Sequence, residues 1–394
     1  MSEHKENVPK LRFPGATGAW EKRYLSDVAQ ISSGGTPNRK ESSYWNGTIP
    51  WATTAEVNYS VITDTKEKIT LEGLNSSSAK LLSIGTILLA MYGQGKTRGK
   101  VAILGIEATT NQANANIAVS PIVNNLFLYY QLEKQYEILR NLANEGGQAN
   151  LSLSIVKNIS VSISSDLSEQ EKIGNLFKQL DNLIILHQRK LNNVKNLKAG
   201  LLQKMFPKNG EDFPEVRFPG FTDAWEQYRL GELCDEFQSG KNINLEYIWD
   251  KGDESRYPVF GGNGLRGYTD TYNHDGIYAL IGRQGALCGN MNLSYGKAYF
   301  TEHAIAVKAN KDNETRFLFY LLGEMNLRQY SGQSAQPGLA VNKLIALSAL
   351  IPTFEEQARI STFFSNLDNL ISLHQRKLEH LQEQKKAMLQ QMFV

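Results

Sequence analysis

Two stretches of this chain occur twice, and each is repeated at its own spacing. Residues 10–25 read KLRFPGATGAWEKRYL and residues 215–230 read EVRFPGFTDAWEQYRL, nine identities in 16 positions at an offset of 205. Residues 167–206 and 354–393 agree at 20 of 40 positions at an offset of 187, with LDNLI and HQRKL shared outright. An internal repeat constrains architecture more tightly than local propensity does, because both copies must fold alike. Between the matched blocks, residues 26–166 and 231–353 differ in length by 18 and share only faint echoes, such as Phe127-Leu128-Tyr129-Tyr130 against Phe317-Leu318-Phe319-Tyr320. The order is a lead segment (1–25), a variable domain (26–166) and a helical segment (167–207), then the same three at 208–230, 231–353 and 354–394. At 394 residues the chain also exceeds what one hydrophobic core serves.

The repeated long segments have a helical period. Ile173, Phe177, Leu180, Ile184, His187, Leu191, Val194, Lys198, Leu201 and Met205 recur at alternating spacings of four and three. Ile360, Phe364, Leu367, Ile371, His374, Leu378, Leu381, Lys385, Met388 and Met392 do the same. A heptad seam sustained this long predicts a coiled coil. Asp166, with Ser168 and Glu171, supplies capping signals for the first helix, Pro207 stops it, and Pro352 precedes the second. Each helix follows its own variable domain, so domains at opposite ends require the helices to run antiparallel. His187 and His374 read as polar register-setting positions of the seam rather than metal ligands, since the seam offers no further ligand types.

The variable domains read as compact mixed α+β units. Apolar runs at 85–92 and 101–104 predict short strands broken by glycine turns. One amphipathic helix is expected in each domain, near Leu126–Leu142 and Arg316–Tyr330. The fold class is thus α+β: two such domains, two long antiparallel coiled-coil helices, and an internal pseudo-twofold duplication.

Composition narrows the setting without naming a function. The net charge of +2 places any nucleic-acid surface in local clusters rather than in the global balance. Cys234 and Cys288 are the only cysteines and form no CxxC pair, which argues against disulfides and a cysteine zinc site. No apolar run reaches the roughly 20 residues a bilayer span needs, and the first residues, MSEHK, lack a signal-peptide core. The expectation is a cytoplasmic protein without a membrane role.

Taken together, the duplicated RFPG-to-tryptophan segments (Arg12–Trp20, Arg217–Trp225) and the EQ…LDNLI..HQRKL helices from Glu169-Gln170 and Glu356-Gln357 resemble the specificity subunit of type I restriction-modification systems. Asn111-Gln112 and Tyr257-Pro-Val-Phe-Gly-Gly262 look like recurring phrases of that family. The resemblance covers nearly the whole chain. It implies a non-catalytic protein whose two target-recognition domains each read half of a split site in double-stranded DNA while the helices space the halves. It also implies two copies of a methylase subunit, which bind S-adenosylmethionine, and restriction/translocase subunits, which use ATP and Mg. No cofactor is expected in this chain.

Candidate DNA contacts lie in loops. In Gly93-Gln-Gly-Lys-Thr97 the first glycine of a P-loop is replaced by Ala90 and a β-like run follows, so phosphate binding of that kind is disfavoured. The same loop suits DNA: Gln94, Lys96, Thr97, Arg98 and Lys100 combine backbone access with bases and polar readers. Asn38, Arg39, Lys40, Tyr44, Thr53, Thr54 and Gln112 join them in the first domain. Arg256, Tyr257, Asn263, Arg266, Tyr268, Arg283 and Gln284 are the candidates in the second, where Gly282–Gly285 corresponds to the glycine loop. Ordinary surface polarity is the competing reading for any one of them. Adjacent prolines are absent, so no NPPF-like methylase tetrapeptide exists, nor any HExxH or GxSxG. A coiled-coil protein-interaction scaffold without DNA specificity is the alternative function.

Overall fold

A computed structural model describes residues 7–93, 96–142, 150–208, 210–253, 256–332 and 338–394. The chain divides into two units, Met1–His187 with Lys377–Val394, and Gln188–Arg376. Each unit therefore contains one lead segment, one variable head, the start of one long helix and the end of the other.

In the first unit Glu21–Tyr24 pairs antiparallel with Ser160–Ile163, so the chain enters and leaves the head on adjacent strands. The head carries a five-stranded sheet ordered Ala29–Ser33, Asn114–Val119, Ile87–Ala90, Val101–Leu104, Val61–Ile62, and a three-stranded sheet built on Trp45–Ala52. Ile87–Ala90 and Val101–Leu104 are buried on both faces, which is why they read as unbroken apolar runs rather than alternating ones. Leu89, Val101, Ile103 and Ile117 pack on Phe127 and Leu128, while Leu88, Ala90, Ala102 and Leu104 form a second core on the opposite face.

The second unit repeats the plan. Glu226–Arg229 pairs antiparallel with Ser348–Ile351. Its six-stranded sheet runs Cys234–Ser239, Ala304–Ala309, His274–Gly282, Met291–Phe300, Tyr257–Gly261, Gly264–Thr269. Ala279, Ile281, Ile305 and Val307 face Phe317, Leu318 and Leu321 of the helix Thr315–Glu324.

The helix expected near Leu126–Leu142 is two pieces, Asn125–Lys134 and Tyr136–Asn141, separated at Gln135. That expected near Arg316–Tyr330 ends at Glu324 and resumes as a 3₁₀ turn, Leu327–Tyr330, after Asn326 takes a left-handed conformation (φ 45°). Asparagine tolerates that region better than most residues, so a helix can turn off there.

Although the head sequences have diverged, their backbone hydrogen bonds coincide. Gly35 N donates to Thr110 O at 2.8 Å, and Lys241 N to Phe300 O at 2.9 Å. Met91 N donates to Ala113 O and Arg283 N to His303 O, both at 2.9 Å. Leu151 N donates to Met91 O at 3.0 Å, and Leu339 N to Arg283 O at 2.9 Å. Ala90 pairs with Asn114 as Gly282 does with Ala304, and Leu88 with Ala102 as Leu280 does with Asn292. The heads share this backbone frame and carry unlike side chains on it, although the first head divides its strands between two sheets and the second keeps them in one.

The long helices span Leu167–Met205 and Phe354–Met392, 39 residues each. Asp166 caps the first, accepting from Ser168 N at 2.8 Å. Seam residues Ile173, Phe177, Leu180, Leu191, Ile360, Phe364, Leu367, Leu378 and Leu381 are buried, and His187 and His374 are half-buried within the same seams. In the first unit Phe177 stacks on Phe393 (5.8 Å) and Asp181 meets Lys385 (2.7 Å). In the second, Lys198 meets Asp368 (2.5 Å) and Phe206 stacks on Phe364 (6.4 Å). Partner numbers fall as helix numbers rise, so the helices are antiparallel in both units. Each helix thus ends by inserting a phenylalanine beside a tryptophan: Phe393 beside Trp20 and Phe206 beside Trp225. The backbone closes similarly, with Leu11 N donating to Gln391 O and Val216 N to Lys204 O, both at 2.9 Å.

The Glu-Gln pair opening each helix clamps the head. Glu169 accepts from Arg12 Nε (2.7 Å) and Nη2 (2.8 Å), Trp20 Nε1 (3.1 Å) and Ser164 Oγ (2.6 Å). Burial works against its charge, but the hydrogen bonds from Arg12 and Ser164 outweigh it and hold the carboxyl below its ordinary range. Gln170 accepts from Asn124 N (2.8 Å) and donates to Ser164 O (2.7 Å), fixing the helix that follows Asn124. Glu356 takes both bonds of Arg217 at 2.7 Å, and Gln357 accepts from Glu314 N (3.0 Å) and donates to Pro352 O (3.0 Å).

Candidate nucleic-acid interface

In the first head the ends Ser33, Ala90, Val101 and Asn114 are neighbours across the sheet, so the loops 34–41, 91–100 and 111–113 leave from one edge. Asn111 N donates to Ala52 O (3.0 Å), which brings the loop starting at Thr53 to the same edge. Exposed Gln112 accepts from Thr36 Oγ1 at 2.5 Å. Arg39 is ion-paired with Glu67, with its second bond at 3.0 Å, and its guanidinium lies 3.9 Å from the Trp45 ring centroid. Lys40 is exposed, and its N–H is fixed by Asn38 Oδ1 (3.1 Å). Tyr44 is half-buried at the end of a 3₁₀ turn, and Thr53 is held by Glu56 through N–H (2.7 Å) and Oγ1 (2.6 Å).

The basic glycine loop is anchored as well as exposed. Lys96 points to solvent while its carbonyl accepts from Tyr136 OH (2.8 Å). Thr97 is half-buried, and a Cβ on Gly93 would stand 3.0 Å from its own Cβ. Arg98 Nη2 donates to Arg140 O (2.9 Å), and Lys100 Nζ to Asn58 Oδ1 (2.6 Å), with the Tyr59 ring 5.5 Å away. Gln94 lies outside the described residues. Residues 96–99 form a turn that runs into the strand Val101–Leu104, where a P-loop would run into a helix.

In the second head the candidates form two groups. Arg256 lies 4.3 Å from the Trp249 ring and 3.6 Å from Asp253, Tyr257 packs edge-on against Tyr272, and Tyr268 pairs with Trp249 through the backbone. Asn263 is exposed in the turn between Tyr257–Gly261 and Gly264–Thr269, on which Arg266 is also exposed. Arg283 Nη1 approaches Glu302 O (3.4 Å), and exposed Gln284 bridges to Gly338. The correspondence of Gly282–Gly285 with the first glycine loop is met by the backbone. Gly282 N donates to Asn290 O and Gly289 N to Gly282 O, as Ala90 N does to Lys100 O and Gly99 N to Ala90 O. The ring shelves Trp45, Trp249 and Tyr59, together with His303, whose carbonyl accepts from Arg283 N, and Asn292, which lies against Gly264, escaped the sequence reading. Each lies far along the chain from its partner or within an unremarkable strand.

Among the described residues no group of three or more His, Cys, Asp or Glu could hold a metal, and no helix is long and apolar enough to cross a membrane. The model for the type I restriction modification DNA specificity domain matches the chain twice, over residues 18–196 and 222–383. The chain belongs to this family. Each specificity-domain match begins in a lead segment and ends within a long helix, the unit of duplication read from the sequence. The type I restriction enzyme EcoprrI specificity subunit of Escherichia coli is 29% identical over 357 residues, 88% of this chain and 87% of that protein. The putative MjaX specificity subunit of Methanocaldococcus jannaschii is 22% identical, over 98% of this chain and 95% of its own. The type I system S subunit from M. genitalium shares the fold, with a TM-score of 0.72 at 17% identity, over 98% of this chain and 99% of the other.

Proposed function

We infer that the chain is the non-catalytic DNA-reading subunit of a type I restriction-modification enzyme. Its two heads read unlike halves of a bipartite, asymmetric site in double-stranded DNA, in the cytoplasm. The observation carrying this is the pair of heads with one hydrogen-bond frame and different loops: a shared scaffold with unshared readers suits two different base sequences. DNA contact, to phosphates or bases, falls to Arg39, Lys40, Tyr44, Thr53, Gln94, Lys96, Thr97, Arg98, Lys100 and Gln112 in one head. In the other it falls to Arg256, Tyr257, Asn263, Arg266, Tyr268, Arg283 and Gln284.

Binding of the assembled methylase to duplexes altered in each half-site, at several salt concentrations, tests this. Lys96→Ala removes an exposed cation, so it should weaken binding to all sequences alike and lower the log–log salt slope by roughly 0.9. Arg266→Ala should instead cost about 1–3 kcal/mol at one base pair of the second half-site. If changes in both heads altered the same half-site, the two-headed reading would be wrong.

Two copies of a methylase subunit, bringing S-adenosylmethionine, and restriction/translocase subunits, using ATP and Mg, complete the enzyme. The support is a repeated surface. Leu183 and Leu186 are 43% and 44% exposed, and their counterparts Leu370 and Leu373 are 42% and 53% exposed, with identical residues in both repeats. Apolar side chains kept at solvent positions in both copies suit two copies of one partner. Native mass measurement should give two methylase chains per specificity chain; a one-to-one species at saturating methylase would overturn it.

A further inference from the structure

Four polar residues from four separate segments of the second head gather around one turn: Asn263 in the turn itself, Arg283 and His303 through their backbone, and Asn292 through its side chain. Gly262 and Asn263 form the two-residue connection between Tyr257–Gly261 and Gly264–Thr269. The turn lies directly against the end of the strand His274–Gly282. A Cβ on Gly282 would stand 2.6 Å from Gly262 O, and one on Gly262 would stand 3.0 Å from His303 O and 3.8 Å from Arg283 N. Only residues without a Cβ allow backbones this close. Arg283 N donates to His303 O at 2.9 Å. Asn292 reaches the same turn, its Oδ1 2.7 Å from where a Cβ on Gly264 would be. His303 keeps 45% of its side chain exposed, with Nε2 3.3 Å from Glu302 Oε1.

The first head has this frame without this chemistry. By the paired backbone bonds, Met91, Ala102 and Ala113 stand where the second head has Arg283, Asn292 and His303. Ala102 is fully buried in apolar surroundings, so the scaffold is complete with a methyl group at that place. Asn292 brings an amide there, and its Nδ2 is buried with no acceptor among the described residues. An unmade bond of this kind disfavours the folded head, so the stability of the scaffold does not account for the asparagine. An incoming acceptor does. The guanidinium of Arg283 and the Asn292 amide are donors, and the base edge presenting two acceptors in the major groove is that of guanine, through O6 and N7.

We propose that Asn292 and His303 complete, with Arg283, a base-reading pocket in the second head that selects a guanine in its half-site. The proposal rests on the DNA-reading role of the heads argued above. The three test substitutions, Arg283→Met, Asn292→Ala and His303→Ala, each install the residue the first head already carries in the same frame, so the fold is retained. The assembled methylase is measured against duplexes carrying every base at every position of both half-sites. Asn292→Ala and His303→Ala should each lower discrimination roughly 10-fold at the G·C pair that Arg283→Met also affects. The first half-site should be read as before. If Arg283→Met relaxes the second half-site while the other two variants keep the unaltered profile, the pocket is wrong and the DNA reading stands. Relaxation at an A·T pair would overturn the guanine assignment. If none of the three, nor Arg266→Ala, changes either half-site, the DNA-reading role of this head falls with the pocket.

Discussion

Glu169→Ala should destabilise the first unit by about 3–5 kcal/mol, because it leaves a buried cation without its partner. The Glu169 side chain is 1% exposed and that of Arg12 12%, so water replaces little of what the carboxylate provides. Trp20 Nε1 and Ser164 Oγ lose their acceptor in the same step. Glu356→Ala should be milder. Among the described residues Glu356 accepts the two Arg217 bonds alone and Trp225 Nε1 has no acceptor, while Ile351 stands where the first repeat has Ser164. The effect of Glu169 has a pH signature. Its carboxyl is held below the ordinary value, so its contribution is complete above the unfolded pKa of about 4.3 and fades as pH falls through the lower folded value. Urea unfolding at pH 7 and pH 3 should show the gap between wild type and variant narrowing in acid. Equal stability of the two at pH 7 would refute the clamp.

Lys385→Met should have a comparable effect, about 3–5 kcal/mol near pH 8. Lys385 Nζ lies 2.7 Å from both Glu133 Oε1 and Asp181 Oδ1, and Asp181 also accepts from Tyr130 OH at 2.7 Å. Without the ammonium, two largely buried carboxylates face each other. Burial already raises the pKa of Glu133 more than Lys385 lowers it. A carboxyl with a raised folded pKa favours the fold below the unfolded value of about 4.3 and loses that contribution as pH rises through the folded value. The variant should therefore recover part of its stability as pH falls and Glu133 takes up a proton. A loss independent of pH would contradict the coupling. The mirror change, Lys198→Met, should cost nearer 1 kcal/mol. Lys198 ion-pairs with Asp368, which is 38% exposed, and lies 5.2 Å from the Tyr320 ring, while Gly323 stands where the first head has Glu133.

What could be read in the sequence follows from the range of the forces involved. The long helices were legible because a seam repeats every seven residues, and burial follows it from Ile173 to Leu191 and from Ile360 to Leu381. The RFPG and EQ motifs were legible as repeats, but their purpose was not: Arg12 and Glu169 are 157 residues apart. The head helices were found and run too long, since Gln135 and Asn326 interrupt them through backbone angles that the apolar pattern does not encode. The kinship of the heads was hidden because it resides in backbone hydrogen bonds, which leave little trace in side-chain identity. For the same reason Arg283 and Gln284 could be singled out as residue types. The turn at Gly262–Gly264, against which Arg283, Asn292 and His303 lie, could not.

The paired closures, Leu11 on Gln391 and Val216 on Lys204, seat the end of one long helix against a lead segment in each unit. Between Lys204 and Val216 the polypeptide runs from the end of one long helix into the next lead segment. Between Gln391 and Leu11 the same geometry is present without a covalent link. Joining the second helix to the first lead segment and opening the 207–213 connection would give a chain of reversed order with every contact described above retained. Because each helix ends in the core begun by the other repeat, neither half finishes its own interior: cooperation between the repeats is built into the covalent path.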